Sequence, residues 1–511
     1  MDAFTFTLIE TKRGNKYFYD QEAASTQWCH PLLYHILNMH RQGSDVDGWF
    51  GKLTDDAVPI EGYGTASKGE ITYYYQKYRL LRENGFFGRL DTEHYLSKRL
   101  SAGEIKSSLA NTRHVTFEVV DFCNLECAYC TYGKFYDNYD RREKKKLSSG
   151  AAKIFLDYLL KLLNSPLNHS HDKPLYIGFY GGEPLLNFPF IREIAAYVGE
   201  LKPEHNRFYF SLTSNGLLLE RYMDFLAEHD FLLLISLDGN EHNNAYRVFP
   251  DGSPAYEQIL KNVEALRTKY PDYFKSRVNF NAVFHNRNSV ADIYHYFKSR
   301  FDKVPNISEL NPSGVRKDMR QAFLKTYANV NASLHQLEDY SVVEKDMFIR
   351  LPNIQGVSRF LDQCSGFVFN DYNDLLAPDP AAREPRLPTG TCLPFSRKVF
   401  ITVNGKILPC EQIGHQYGLG GVAETGVELD FHQIAETYNR YFEKLKDQCR
   451  RCANAEGCLQ CIFYLDIEKP RPQCHGLLNQ QEFSQFLSTQ VSYLEENPRQ
   501  YKKIMTEVRI E

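Results

Sequence analysis

Between residues 110 and 310, short apolar runs alternate with longer stretches whose apolar residues recur every three to four positions. The runs HVTFEVV (114–120), PLYIGFY (174–180), RFYFSLT (207–213), FLLLISL (231–237) and SRVNFNAVF (276–284) are rich in β-branched and aromatic residues, as strands are. Between them SGAAKIFLDYLLKLL, FPFIREIAAYVGE, RYMDFLAEH and YEQILKNVEALRTKY each present one apolar face, as helices do. Strands alternating with helices predict βα units around a parallel sheet, an α/β fold.

The flanking zones carry different patterns. In 1–105, FTFTLIE and KYFYD alternate around the turn RGN, then come the helical stretches HPLLYHILNMH and ITYYYQKYRLLRENGFF. This zone is either a small α+β winged-helix-like module or a cap on the main domain. Residues 311–390 mix helical pieces with a Pro-rich connector, LAPDPAAREPRLPTG, and 391–511 set cysteines on short segments before a helical tail.

Composition narrows the class. A formal charge of −4 gives no electrostatic reason to expect nucleic acid or an anionic membrane. The N-terminus carries charges where a signal peptide needs its apolar stretch, and FLLLISL falls far short of the ~20 apolar residues of a spanning helix. A soluble, cytoplasmic protein is expected, with neither nucleic acid nor membrane as a partner. The 12 cysteines are then reduced thiols. Three crowd into DFCNLECAYC (121–130) and seven into the last quarter, which points to metal at more than one site.

In parallel sheets chemistry gathers where the strands end. Here the first predicted strand leads into Cys123, Cys127 and Cys130, spaced C-x3-C-x2-C, and the second into GGEP (181–184). The third leads into SNG (214–216) and the fourth into DG (238–239). Three thiolates can hold three corners of a four-iron cubane and leave one iron open to an amine and a carboxylate. Gly181 and Gly182 would let backbone approach that ligand, Glu183 would close the turn, and Ser214 and Asn215 would meet a carboxylate or a ribose. The competing reading of the triplet is a zinc site that borrows a ligand such as His114, or buried structural thiols.

C-x3-C-x2-C followed by GGE resembles the radical S-adenosylmethionine (SAM) superfamily. The resemblance covers about 110–310 and implies a partial (β/α)6 barrel that binds a 4Fe-4S cluster through Cys123, Cys127 and Cys130. It places SAM against Tyr129, Gly181, Gly182 and Glu183. Ser236 and Asp238 of SLDG, and Arg247 of RVF, look like the maturase branch. It also implies a 5′-deoxyadenosyl radical that takes hydrogen from an unactivated carbon, with an electron donor such as flavodoxin or ferredoxin.

The C-terminal zone resembles the SPASM extension of such maturases, which carries auxiliary iron–sulfur clusters. That pattern gives Cys449, Cys452, Cys458 and Cys474 to one cluster and Cys392, Cys410 and Cys461 to another, with Cys364 as its fourth ligand unless that iron is open to substrate. Two departures are plain: Cys458 to Cys461 is spaced x2 rather than x3, and no cysteine stands just before Cys392. Taken alone, this spacing reads equally well as a pair of zinc knuckles. Glu411, next to Cys410, matches an acidic residue that takes a proton in sulfatase maturases; the alternative is a solvated surface glutamate.

Residues 1–105 resemble the leader-binding element fused to maturases of ribosomally made peptides. The expected activity is therefore an intramolecular thioether or carbon–carbon crosslink in a precursor peptide held by its leader. Two rivals stand beside it, a sulfatase-type maturase that forms formylglycine and a non-catalytic iron–sulfur or zinc scaffold.

Overall fold

The computed structural model describes residues 6–507 apart from 22–24, 55–56, 89–95, 313, 331–332, 334–355, 359, 362–363, 365–385 and 456. Most of the Pro-rich connector therefore lies outside the described residues. Two units divide the chain, each assembled from separated segments. Residues 1–99, 348–391 and 440–511 make the first; 100–347 and 392–439 make the second.

In the first unit, β1 (Phe6–Glu10), β2 (Lys16–Asp20) and β3 (Ser25–Trp28) form an antiparallel sheet in chain order. The helix Pro31–Arg41, the hairpin of β4 (Val58–Ile60) and β5 (Gly64–Ala66), and the helix Lys68–Glu83 follow. Phe6, Phe18, Leu33, Leu37, Tyr78 and Phe87 bury together as its core. Ser67 caps the last of these helices reciprocally with Glu70, the S-x-x-E pattern that fixes a helix start.

The two sheet edges differ. Helix Gln480–Glu496 runs along β1, where Ser484 and Ser488 donate to the carbonyls of Leu8 (2.6 Å) and Glu10 (2.5 Å). Ser492 accepts from the Lys12 N–H at 3.1 Å. Serines four apart share one helix face, so the row occupies β1's outer polar groups as a further strand would. Strand β3 is the other edge, and pairs only with β2 among the described residues.

The second unit is built on a ten-stranded sheet. Its parallel part comprises β6 (His114–Val120), β7 (Pro174–Gly181), β8 (Arg207–Ser214), β9 (Leu232–Ser236), β10 (Val278–Phe284) and β11 (Asn306–Glu309). These neighbour one another in sequence order with helices between them. β6 is buried from Val115 to Val120, as a parallel strand covered on both faces must be. β12 (Lys398–Ile401) adds parallel to β6, and β13 (Lys406–Leu408), β14 (Gly420–Ala423) and β15 (Gly426–Glu428) continue it antiparallel.

The first five parallel strands match the expected runs to within two residues. β10 starts at Val278 because Pro271–Arg277 is helical up to that point. β11 and β12–β15 have runs of three or four residues, too short to show periodicity. Among the described residues no helix is long and apolar enough to cross a membrane.

Replacing Ser484 and Ser488 together by alanine should lower the unfolding free energy by about 1–3 kcal/mol, from two lost hydrogen bonds. Urea denaturation measures this, and an unchanged midpoint and slope would show that the serine row does not hold the β1 edge.

Candidate active site

All parallel strands of the second unit end on one edge of the sheet, so the loops after β6 to β10 collect there. The loop after β6 carries Cys123, Cys127 and Cys130 and is docked by backbone. Gly182 N–H donates to the Val120 carbonyl (2.8 Å) and Glu183 N–H to that of Phe122 (3.0 Å). A Cβ on Gly182 would sit 1.9 Å from the Phe122 oxygen, and one on Gly181, at φ +124°, 2.3 Å from that of Val120. The close approach that these glycines allow is thus between the two loops.

Glu183 is fully buried. Its carboxylate accepts from Leu185 N–H (3.1 Å), Asn215 N–H (2.7 Å) and Ser214 Oγ (3.0 Å). Burial pushes its pKa up to about 7 against these hydrogen bonds. Ser214 is therefore engaged, and Glu183 holds the β7 end to the β8 end. Asn215 donates to Asn124 Oδ1 (2.7 Å) and faces Cys123 Sγ at 3.5 Å.

On the far side of the loop Asp238 is the junction. Arg247 grips it in a fork (2.9 and 3.2 Å), the Tyr129 hydroxyl donates to it, and so does Val283 N–H (2.9 Å). Burial would raise the pKa of Asp238; the Arg247 charge and the hydrogen bonds of His285, Arg247 and Tyr129 outweigh it and hold the carboxyl below its ordinary value. Two further hydrogen bonds, Glu126 N–H to Val248 O (2.8 Å) and Ala128 N–H to Tyr246 O (3.2 Å), zip the cysteine loop to the segment carrying Arg247. Ser236 lies at the end of β9, in register with Asn281.

The three thiols point to different surroundings. Cys123 accepts from Leu125 N–H (3.4 Å), Cys127 lies near Arg247, and Cys130 is approached by Arg142 Nη2 at 3.6 Å. Burial pushes the Cys123 thiol up to about 11 and that of Cys127 to about 12, so as free groups both stay protonated at neutral pH. A metal cluster displaces such protons, and N–H donors aimed at sulfur favour the resulting thiolates. The donor set fits a thiolate-held cluster.

Glu411 is partly buried, 17% exposed, and paired with Lys398 at 2.7 Å. It is thus not a solvated surface group. Cys410 lies against it, Sγ to Oε2 3.7 Å, and accepts from Gln412 N–H. Cys392 is exposed. Cys392 and Cys410 belong to the second unit, Cys364 and Cys461 to the first. Cys364 is buried, its carbonyl accepting from Thr26 at 2.8 Å; Cys461 is half-buried.

Within the first unit Cys449, Cys452, Cys458 and Cys474 gather. Burial, then the proximity of Cys458, Cys474 and Cys452, pushes the Cys449 thiol up to about 12. Backbone N–H groups again face sulfur, from Leu478 to Cys452 (3.5 Å) and from Gln460 to Cys458 (3.4 Å). Among the described residues no three His, Cys, Asp or Glu side chains converge as ligands of a single metal ion.

Sequence reasoning did not single out His285, fully buried and stacked 5.7 Å from Tyr129. It directly follows β10, so the strand-end rule that found the other four loops would have reached it. Glu118 was also missed. It is the one acidic residue of β6, and burial pushes its pKa up to about 7.

Residues 117–297 match the family model of the Radical SAM superfamily. Over 182 residues the chain is 31% identical to a cysteine-type anaerobic sulfatase-maturating enzyme of Clostridium novyi, covering 35% of this chain and 46% of that one. Over 337 residues it is 25% identical to the radical SAM cyclopropyl synthase TigE of Paramaledivibacter caminithermalis, covering 58% and 65%. The chain thus spans less than two thirds of either relative. Among solved structures, native anSMEcpe with bound AdoMet superposes with a TM-score of 0.51 at 19% identity, covering 77% of this chain and all of that one. At that identity the likeness is one of fold.

Asp238→Asn should leave Arg247 buried without its counter-charge and cost about 3–5 kcal/mol. Iron bound on anaerobic reconstitution should fall with it, and a variant of unchanged stability and iron content would show that the pair does not hold the loop.

Proposed function

We propose that this chain, which carries a radical SAM domain and is an enzyme, modifies a ribosomally made precursor peptide by closing an intramolecular thioether or carbon–carbon crosslink. The observation that carries the radical chemistry is the convergence of the cysteine loop with the ends of β7 to β10 in one buried, hydrogen-bonded frame. Cys123, Cys127 and Cys130 would hold a 4Fe-4S cluster, and the segments around Tyr129, Gly181–Glu183, Ser214, Asn215, Ser236, Asp238 and Arg247 would frame SAM beside it. Bound together, these groups supply a 5′-deoxyadenosyl radical that removes a hydrogen atom from an unactivated carbon.

The protein's own part is positional. Glu183 fixes β7 against β8, the Asp238–Arg247 pair fixes the loop against β9 and β10, and the buried walls keep water from a reactive intermediate. Cys449, Cys452, Cys458 and Cys474 would hold an auxiliary cluster. Glu411 would take the proton released as the new bond forms, once Lys398 is displaced from it, and an auxiliary cluster would accept the electron released with it. A cytoplasmic flavodoxin or ferredoxin would deliver the electron.

The N-terminal sheet supports a peptide substrate. With β1 occupied by the serine row, β3 is the edge where an extended leader would add as a strand. Cys29 N–H bonds to Lys16 O across the sheet, so the alternation of an antiparallel pair turns the N–H groups of Thr26 and Trp28 outward. Trp28 is also 57% exposed. A sulfatase-type maturase is the second reading, favoured by the named relative in Clostridium novyi.

Trp28→Pro removes an outward donor and should weaken binding of the precursor peptide by about ten-fold or more. SAM cleavage should be unaffected, and the product should be lighter than the peptide by two hydrogen atoms. Undiminished peptide binding would remove leader pairing at β3 from the account.

A further inference from the structure

Tyr132, two residues beyond Cys130, is surrounded by polar atoms whose hydrogen-bonding capacity the protein does not use. Its hydroxyl, Glu118 Oε1, Arg142 Nε and His415 Nε2 are all buried and without a partner. They are neighbours. The Arg142 guanidinium lies 4.6 Å from the centre of the Tyr132 ring, and the His415 ring stands edge-on at 6.2 Å. The Glu118 carboxylate lies beside the Tyr132 hydroxyl, close enough for each to act on the other's ionisation but without the geometry of a formed hydrogen bond. A buried polar atom left unpaired costs about 1–3 kcal/mol, so four in one place point to a ligand that completes them.

Each group is held by its remaining atoms. Glu118 Oε2 accepts from Val403 N–H at 2.9 Å, and Arg142 Nη2 reaches Cys130 Sγ. His415 Nδ1 accepts from Asp140 N–H at 3.2 Å, and Asp140 is itself fixed by Lys406 (2.7 Å) and Asn404 (3.0 Å). With Nδ1 accepting, a neutral imidazole carries its hydrogen on Nε2, and burial lowers the His415 pKa so that the ring stays neutral. The cluster of unpaired atoms therefore offers two N–H donors, from Arg142 and His415, one carboxylate acceptor and one hydroxyl of either sense. A ligand carboxylate would oppose Glu118, and a cation would oppose Arg142. An amide, with one donor and one acceptor, satisfies both sides.

We propose that Glu118, Tyr132, Arg142 and His415 form a receptor for a backbone amide of the substrate. Its carbonyl oxygen accepts from Arg142 Nε and His415 Nε2, and its N–H donates to Glu118 Oε1. The proposal rests on the substrate being a peptide. It adds the residues that would seat the reacting segment on the Cys130 side of the site. Tyr180 lies within electrostatic reach of Glu411, Cys130 and Glu118.

The test uses saturation-transfer NMR on the full, cluster-loaded protein. The probes are trialanine capped as acetyl and methylamide, its backbone N-methylated counterpart, and acetate. The unsubstituted protein should bind the first at least about ten-fold more tightly than the second, since one hydrogen bond to a charged group is at stake. Glu118→Leu should erase that preference, whereas His415→Phe should weaken both peptides alike.

Equal binding of the two peptides, a preference for acetate, or a preference that survives Glu118→Leu would overturn the proposal. Should Glu118→Leu fail to take up iron, the probe comparison in the unsubstituted protein together with His415→Phe still decides it. The measurement needs no turnover. Amide recognition without 5′-deoxyadenosine formation would leave the receptor standing and sink the functional reading, and the reverse result would do the opposite.

Discussion

The arrangement at the strand ends depends on one buried carboxylate. Asp238 has no exposed surface, and it receives Arg247, the Tyr129 hydroxyl and the Val283 N–H together. Through these it ties the cysteine loop to the ends of β9 and β10. A buried ion pair of this kind adds little net stability, since removing two charges from water costs about what their attraction returns. What it imposes is geometry. Without Asp238 the guanidinium beside Cys127 loses its counter-charge, and the loop loses the contact that fixes its far side.

The near side is fixed differently, chiefly by backbone. Gly181 and Gly182 bring the end of β7 so close to Val120 and Phe122 that no side chain fits, and Glu183 carries the constraint on to β8. The loop is thus clamped between a rigid backbone contact and a rigid ion pair. In that frame three thiols keep separate surroundings: amide donors at Cys123, Arg247 near Cys127, and Arg142 at Cys130. In the proposed reading the two flanks of the loop do different work, one framing a cofactor and the other seating a substrate.

Much of this was legible in the sequence because it is local or periodic. HVTFEVV coincides with β6, and the strand-end rule led to the cysteine triplet, GGEP, SNG and DG before any coordinates. What the glycines do was not legible. Their need is steric, set by Phe122 across the loop, and linear spacing cannot distinguish that from an approach to a ligand. The pairing of Ser214 with Glu183 and the ion pair that holds Glu411 to Lys398 are likewise contacts between separate elements. β12 pairs with β6 across some 280 residues, and runs as short as KVFI carry no period from which such a partner could be read. His415 gave no signal because its neighbours Tyr132 and Asp140 lie some 280 residues earlier in the chain and meet it only in the fold.

The central claim is that the Cys123–Cys127–Cys130 loop starts radical chemistry. Its most direct test is mass-spectrometric detection of 5′-deoxyadenosine from anaerobically reconstituted protein given SAM, a strong reductant and the precursor peptide, with Cys127→Ala as the comparison. The account predicts formation by the unsubstituted protein and none by the variant. No 5′-deoxyadenosine from fully iron-loaded protein, or equal amounts from both, would contradict it.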